Sequence, residues 1–234
     1  MEFKKLSSPS LKELFIKEME TLILSGRLAI GEKLPPEREI AKSMQISRTV
    51  VNAGISELAR KGFLTIKPRM GTFVADYRKN GNLETLISIM NYNSGMLRKA
   101  EIRSVLELRI ALDKLAIESL IPKVTEEDIK TLRGYVEKMK EAETLREVSE
   151  LAFSFQHELA LLSGNTLLPL IFMSFKELVL NLWERFCRLY GKEALYNNTS
   201  VLCDHIEQRD AAKAVEWQTA VINETISGSR QIYY

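Results

Sequence analysis

Apolar residues recur at helical spacing along most of the chain and switch to strand-like alternation in one place. Leu14, Phe15, Met19 and Leu22 line one side of a helix predicted over residues 11–24, which ends at Ser25-Gly26. A second helix begins after Pro35-Pro36, because proline's missing N–H would be unpaired there anyway. Ile40, Ala41 and Met44 give it an apolar side, and Gln45-Ile46 turns the chain. Ser47 is a good N-cap for a third helix from Arg48 to about Lys61, since its hydroxyl can accept an orphan N–H. Val51, Ile55 and Leu58 face inward on that helix, while Arg48, Thr49, Asn52, Ala53 and Ser56 face outward, and Gly62 closes it. Residues 63–67 and 72–75 are strand-like around the turn 68–71, which makes a hairpin with a basic tip. Two helices and a tight turn followed by such a hairpin predict a winged helix. Leu28 and Ile30 flank a short extended segment expected to pair with the wing, and residues 1–9 read as a frayed tail.

The polar stretch 76–82 changes the character of the chain. Beyond it, helices are predicted over residues 83–92, 99–121, 126–142, 145–162, 166–189, 192–208 and 211–227. Thr125, Asn165 and Asp210 supply caps, and Pro122 and Ser163-Gly164-Asn165 supply breaks. The expected fold is mainly α: an N-terminal winged helix-turn-helix with a small β-hairpin wing and a C-terminal all-α helical bundle. The expected domains are 1–76 and 84–234, with 77–83 as the linker.

Composition narrows the function classes. Of 234 residues 45% are apolar, yet no window of about 20 apolar residues exists to cross a bilayer. The richest run, 159–183, is interrupted by Ser163-Gly164-Asn165 and Lys176-Glu177, and the N-terminus has no signal-peptide core. Cys187 and Cys203 sit in helical surroundings without metal-ligand spacing, so both are expected as buried free thiols of a reduced, cytoplasmic chain. The net charge of +2 is uneven: residues 1–80 carry +6 and the rest −4. The basic part coincides with the winged helix, as a nucleic-acid-binding module would. No paired-carboxylate, Ser/His/Asp, Cys/His or glycine-rich phosphate constellation is visible, so an enzyme is not expected.

An exposed helix start carrying Arg, Thr and Asn suits a DNA major groove: Arg bonds guanine, Asn bonds adenine, and the Thr methyl touches thymine. The motifs G-x-L-x-x-G-x-x-L-P-x-E-R-E-x-A (residues 26–41), I-S-R-T-x-V (46–51), L-x-x-K-G-F-L (58–64) and G-T-F-V (71–74) are more specific. This run resembles the DNA-binding domain of the GntR family of bacterial transcription regulators. L-E-L-R at 106–109, S-G-N at 163–165 and I-x-x-x-D-x-x-x-A at 206–214 extend the resemblance to the effector domain of the FadR-like branch.

The resemblance implies a homodimeric transcriptional regulator, a repressor in its commonest form, that binds a palindromic operator in double-stranded DNA and answers to a small-molecule effector. Arg38, Arg48 and Thr49 match residues that touch DNA in the family, and the Ser47 hydroxyl can reach phosphate. Lys67, Arg69 and Gly71 at the wing tip would enter the minor groove. Where the family usually has Arg-Glu-Ala-Leu, this chain has Asn52-Ala53-Gly54-Ile55. A site altered at the base pair under Asn52, toward adenine, is therefore expected.

Many members of the branch hold a divalent metal through an Asp-x-x-x-His pair and two later histidines. The corresponding positions here fall on Ala152 and Gln156 and near Thr199 and Val221. A one-residue slip brings in His157 but puts Phe153 at the Asp position, so no metal is expected. An acyl-CoA, a fatty acid or a small organic acid is the alternative occupant. Phe153, Phe155, Phe172, Phe175, Trp183, Phe186, Tyr190 and Trp217 read first as ordinary core, with a lining for such a ligand as the second reading. Arg109 is placed either to grip a carboxylate bidentately or to pair with Asp113 one turn on. Arg109, Gln156 and Thr199 are the expected effector-binding residues.

Overall fold

The computed structural model describes residues 9–92 and 99–233, so the frayed tail expected at the N-terminus lies almost wholly outside the described residues. The chain divides into two compact units, Met1–Ser94 and Gly95–Tyr234.

The first unit opens with α1 (Leu11–Leu24), started by a reciprocal cap in which Ser10 Oγ accepts from Glu13 N and Ser10 N donates to Glu13 Oε2. Helices α2 (Glu37–Ser43) and α3 (Arg48–Arg60) follow. Gln45 turns between them in the left-handed region, at φ 54°. Ser47 Oγ accepts from Val50 N at 3.2 Å, which sets where α3 begins. Strands β1 (Leu64–Lys67) and β2 (Gly71–Val74) pair antiparallel, from Leu64 opposite Val74 to Lys67 opposite Gly71. The third extended segment sits slightly later than expected. Gly31 N donates to Val74 O, Val74 N to Glu32 O and Leu34 N to Thr72 O, with Lys33 bridging Phe73. Phe15, Met19, Val51, Ile55, Leu58 and Phe63 fill the core.

Helix α3 approaches α1 through Gly54. A Cβ there would stand 2.2 Å from a Phe15 ring carbon. Gly54 thus gives up about 1 kcal/mol of helix propensity relative to alanine to seat the aromatic ring. Gly54→Ala is expected to destabilise the first unit by about 1–3 kcal/mol through overpacking, in spite of that propensity gain. Chemical denaturation checks it: Phe15→Leu/Gly54→Ala should recover much of the loss, and a Gly54→Ala protein as stable as the parent would refute the packing argument.

The stretch expected as a linker is folded. Helices α4 (Tyr77–Asn80) and α5 (Leu83–Asn91) belong to the first unit. Tyr77 packs on the core with its ring tilted against Phe63, the ring centroids 5.6 Å apart. Asn82 caps α5 while its Nδ2 donates to Arg60 O, and Thr85 Oγ1 donates to Lys61 O. Lys61 Nζ and Ser88 Oγ both reach Glu20 Oε1, at 2.9 and 2.8 Å. The boundary therefore falls near residue 94 instead of 77–83. Polarity misled the expectation: Asn82 and Thr85 spend donors on the end of α3, while Arg78 and Lys79 pair with Asp76.

The second unit is all helix among its described residues: α6 (Lys99–Leu120), α7 (Glu126–Glu141), α8 (Leu145–Leu162), α9 (Leu168–Ser174), α10 (Lys176–Tyr190), α11 (Lys192–Glu207) and α12 (Ala211–Ile226). A 3-10 turn at Ile121–Lys123 carries Pro122. Reciprocal caps start α7 (Thr125 with Asp128) and α8 (Thr144 with Glu147), and Asp210 accepts from Lys213 N to start α12. Helix α8 is central, packed against α6, α7, α9, α10 and α11, with Phe155, Leu159 and Ala160 fully buried. The single helix expected over 166–189 is two. Asn165 Oδ1 accepts from Leu167 N and Leu168 N, which delays the start, and the path breaks at Phe175 without a proline or glycine. Both cysteines are buried, and burial pushes each thiol up to about 12. They are inert at neutral pH. No described helix is long and apolar enough to cross a membrane.

Candidate functional sites

The exposed end of α3 is the first candidate. Ser47, Arg48, Thr49 and Asn52 are all exposed there, and so is Arg38 on α2. A helix start presents unpaired N–H groups and a positive dipole end, to which Arg48 adds charge. Neither Arg38 nor Arg48 forms an ion pair among the described residues, whereas Arg60 at the other end of α3 is held by Glu57 and Glu84. Asn52 Nδ2 donates to Glu37 Oε1 at 3.2 Å, which brings the first turn of α2 alongside the exposed face of α3. That contact was not foreseen: nothing local ties residues fifteen apart. Lys67, Pro68, Arg69, Met70 and Gly71 are exposed at the wing tip. Lys67 Nζ lies 4.8 Å above the Phe73 ring, Arg69 is left-handed at φ 64°, and Gly71 at φ 116° carries no side chain where Lys33 passes.

The second candidate is internal to the helical unit. Two small adjoining compartments, of about 50 and 30 Å³, share Val105, Arg109, Gln156, Val179 and Trp183 as common wall. Thr199 and Val221 line the first, so Arg109, Gln156 and Thr199 meet at one cavity although they come from α6, α8 and α11. Of the two roles open for Arg109, the structure shows the pair with Asp113. Its Nε lies 3.2 Å from Asp113 Oδ2, and its guanidinium stacks 4.6 Å from the Trp183 ring centre. Asp113 is 0% exposed, takes a further bond from Gln218 Nε2, and leaves Oδ1 without a partner. Burial raises its carboxyl above the usual range; the Arg109 charge and the Gln218 bond only partly offset this. Gln218 was missed. Its signal is a polar residue one turn past Ala214 on the apolar face of α12.

Comparison with known proteins agrees with both units. The profile described as bacterial regulatory proteins, gntR family, matches residues 13–74, and the FCD domain matches 104–224, just over half of the chain. The chain belongs to the GntR family, in its FCD-domain branch. Curated relatives of this GntR-family chain include the HTH-type transcriptional regulator LutR of Bacillus subtilis, 28% identical over 63% of this chain and 65% of that protein. The fatty acid metabolism regulator protein of Shewanella pealeana is 29% identical over 70% and 65%. The chain spans between about half and just under two thirds of these first relatives' lengths (54% to 65%). A solved structure described as Lar, which controls expression of the Listeria monocytogenes agr system, matches with a TM-score of 0.64 at 14% identity, over 96% of this chain and 98% of that one. That likeness shows the fold.

Within this family the cavity raises the question of a metal. The four positions that correspond to the branch's ligands carry Ala152, Gln156, Thr199 and Val221. Three of them line the cavity, and Ala152 is buried one turn before Gln156 on α8. An alanine, an amide, a hydroxyl and a valine do not fit a zinc- or nickel-type site. His157 is half-buried and stacks on Phe153 at 5.9 Å, outside the cavity lining. Among the described residues no group of three His, Cys, Asp or Glu could hold an ion.

Proposed function

We propose that this protein is a cytoplasmic, sequence-specific transcriptional repressor, a homodimer on a palindromic operator, released or engaged by a small molecule in the cavity of its second unit. The observation that carries the DNA reading is the exposed start of α3, where Arg48 and Thr49 face solvent and neither Arg48 nor Arg38 has an ion-pair partner among the described residues. Arg48, Thr49 and Asn52 read base edges; Arg38, Ser47 and the wing tip Lys67–Arg69–Gly71 hold the backbone and minor groove. Two-fold proteins read two-fold sites, which is why a palindrome is proposed. The effector acts by changing how the two reading heads are placed in the dimer, since a ligand shifts DNA affinity only if it distinguishes those states. The site is read as metal-free, and its volume favours a small organic acid over an acyl-CoA.

Selection of binding sites from random duplex DNA tests this reading. Affinity should fall steeply with salt, as counterion release requires. A protein that retains no duplex at any salt is not a DNA-binding regulator.

The same selection tests Asn52. A carboxylate only accepts, so the amide edge facing Glu37 is Nδ2, and Oδ1 is left for the groove. An acceptor there reads an exocyclic amino group, on adenine or cytosine. The parent should accept A or C at that position. Glu37→Ala frees the amide to bond adenine bidentately and should favour adenine by about 1–3 kcal/mol. Guanine at that position, unchanged in Asn52→Ala, would refute the assignment.

A further inference from the structure

We propose that the segment after α12, residues 229–233, is the movable wall of the internal cavity: Ile232 plugs the larger compartment, and a ligand enters or leaves by lifting it. The proposal rests on the effector reading of the second unit and names how that site is opened.

At about 50 and 30 Å³ the two compartments fall well short of the roughly 300 Å³ at which pockets for small organic ligands begin. A wall has to move before such a ligand is seated. Every residue lining the larger compartment stands on α6, α8, α10, α11 or α12 except Ile232. Displacing a helix means repacking a whole interlocked face. Displacing Ile232 means withdrawing one side chain. Its backbone belongs to no helix or strand, yet it is 3% exposed, between an exposed Gln231 and a half-buried Tyr233.

Side chains fasten this strap; no ladder does. Among the described residues its one backbone bond to the bundle runs from Ile232 N to Thr225 O and is long, at 3.4 Å. Arg185 Nε and Nη2 donate to Ile232 O and Tyr233 O at 2.8 and 2.5 Å, and Tyr190 Oη donates to Gln231 O at 2.7 Å. Three successive carbonyls are thus gripped from α10, the helix whose Leu182, Trp183 and Phe186 line the compartment. A segment held by a few side-chain bonds and one apolar plug lies at the low end of local stability. Beyond the plug, the Tyr233 ring lies 4.6 Å from Lys99 Nζ, a cation–π contact with the first residue of α6. Helix α6 carries Val105, Leu106 and Arg109 to the same cavity. The strap therefore joins α10 to the start of α6, and lifting it frees both. Lys99 and residues 225–233 lie outside the stretch that matches the FCD domain, so the strap belongs to this chain's own sequence.

The experiment uses the full chain and reads the cavity from within. Trp183 lines both compartments, and the chain has one other tryptophan, Trp217. In a Trp217→Phe background, acrylamide quenching of Trp183 measures access to the cavity, and hydrogen exchange of residues 229–233 measures opening of the strap. Ile232→Ser should raise the quenching constant about threefold and Tyr190→Phe about twofold, each with faster exchange in the strap. Ile232→Leu should stay closed. If Ile232→Ser fails to fold, Tyr190→Phe carries the test. Faster exchange in the strap with Trp183 quenching unmoved would overturn the proposal. So would Leu108→Ser, at the exposed rim of the smaller compartment, opening Trp183 more than Ile232→Ser does. None of these readouts involves DNA. The effector reading is tested apart from them, by the affinity of Ile232→Ser for a selected duplex, which should shift about threefold because the start of α6 is released. Quenching raised with duplex affinity unmoved would sink the effector reading and leave the gate standing.

Discussion

Arg48→Ala is expected to weaken binding to a selected operator by about 1–3 kcal/mol in each half-site, the worth of one good bidentate base contact. Since about 1.4 kcal/mol is tenfold, this is a loss of roughly fivefold to 150-fold per half-site. The argument starts from the cap. Ser47 Oγ accepting Val50 N begins α3 at Arg48, so the side chain leaves from the first exposed turn, where the helix start is open to solvent. No described carboxylate neutralises it. Arg60, on the same helix, is the internal control: it is paired with Glu57 and Glu84, and Arg60→Ala should leave operator affinity unchanged. Competition against random duplex separates the roles. A base-reading Arg48 loses specific affinity far more than non-specific affinity, whereas Arg69→Ala at the wing should lower both together and reduce the salt slope by about one counterion. Equal losses on operator and random duplex in Arg48→Ala would assign that side chain to phosphate.

The second large effect separates two neighbouring residues on α8. Phe155→Ala should destabilise the helical unit by about 3–5 kcal/mol, the usual cost of emptying a buried aromatic site. Phe155 is fully buried in one cluster with side chains of α6, α7 and α11, and it lines neither compartment of the cavity. Gln156→Leu, one residue on, should cost nothing or stabilise, because it replaces a buried amide without a partner by an apolar side chain of similar size. Thermal and chemical unfolding, followed unit by unit since the chain has two, checks both. A Gln156→Leu protein destabilised as badly as Phe155→Ala would mean that the amide has a structural partner and the cavity is not waiting for a ligand.

These contrasts show where the sequence was legible. Helix limits came within a residue or two wherever a local signal existed. Ser47, Thr125 and Asp210 are caps whose bonds close within three residues, so their meaning does not depend on the rest of the fold. The break at Phe175 carried no such signal and was missed. The stretch 76–82 was misread because polar composition looks the same in a loop and in a short folded segment whose Asn82 bonds the end of α3 and whose Arg78 and Lys79 pair with Asp76.

The sequence by itself determined the helical periods, the caps, the hairpin, the basic first unit and the residues offered on the outer face of α3. All of these arise from interactions between residues a few positions apart. Only the tertiary structure decided what those residues meet. It set Phe15 into the gap at Gly54 and Glu37 against Asn52. It drew Arg109, Gln156 and Thr199 from three helices to one cavity, and let Arg109 hold Asp113 while keeping donors to spare. Partners that stand 15 to 105 residues apart are chosen by how whole helices pack, and side-chain periodicity says which face packs but not what it packs against.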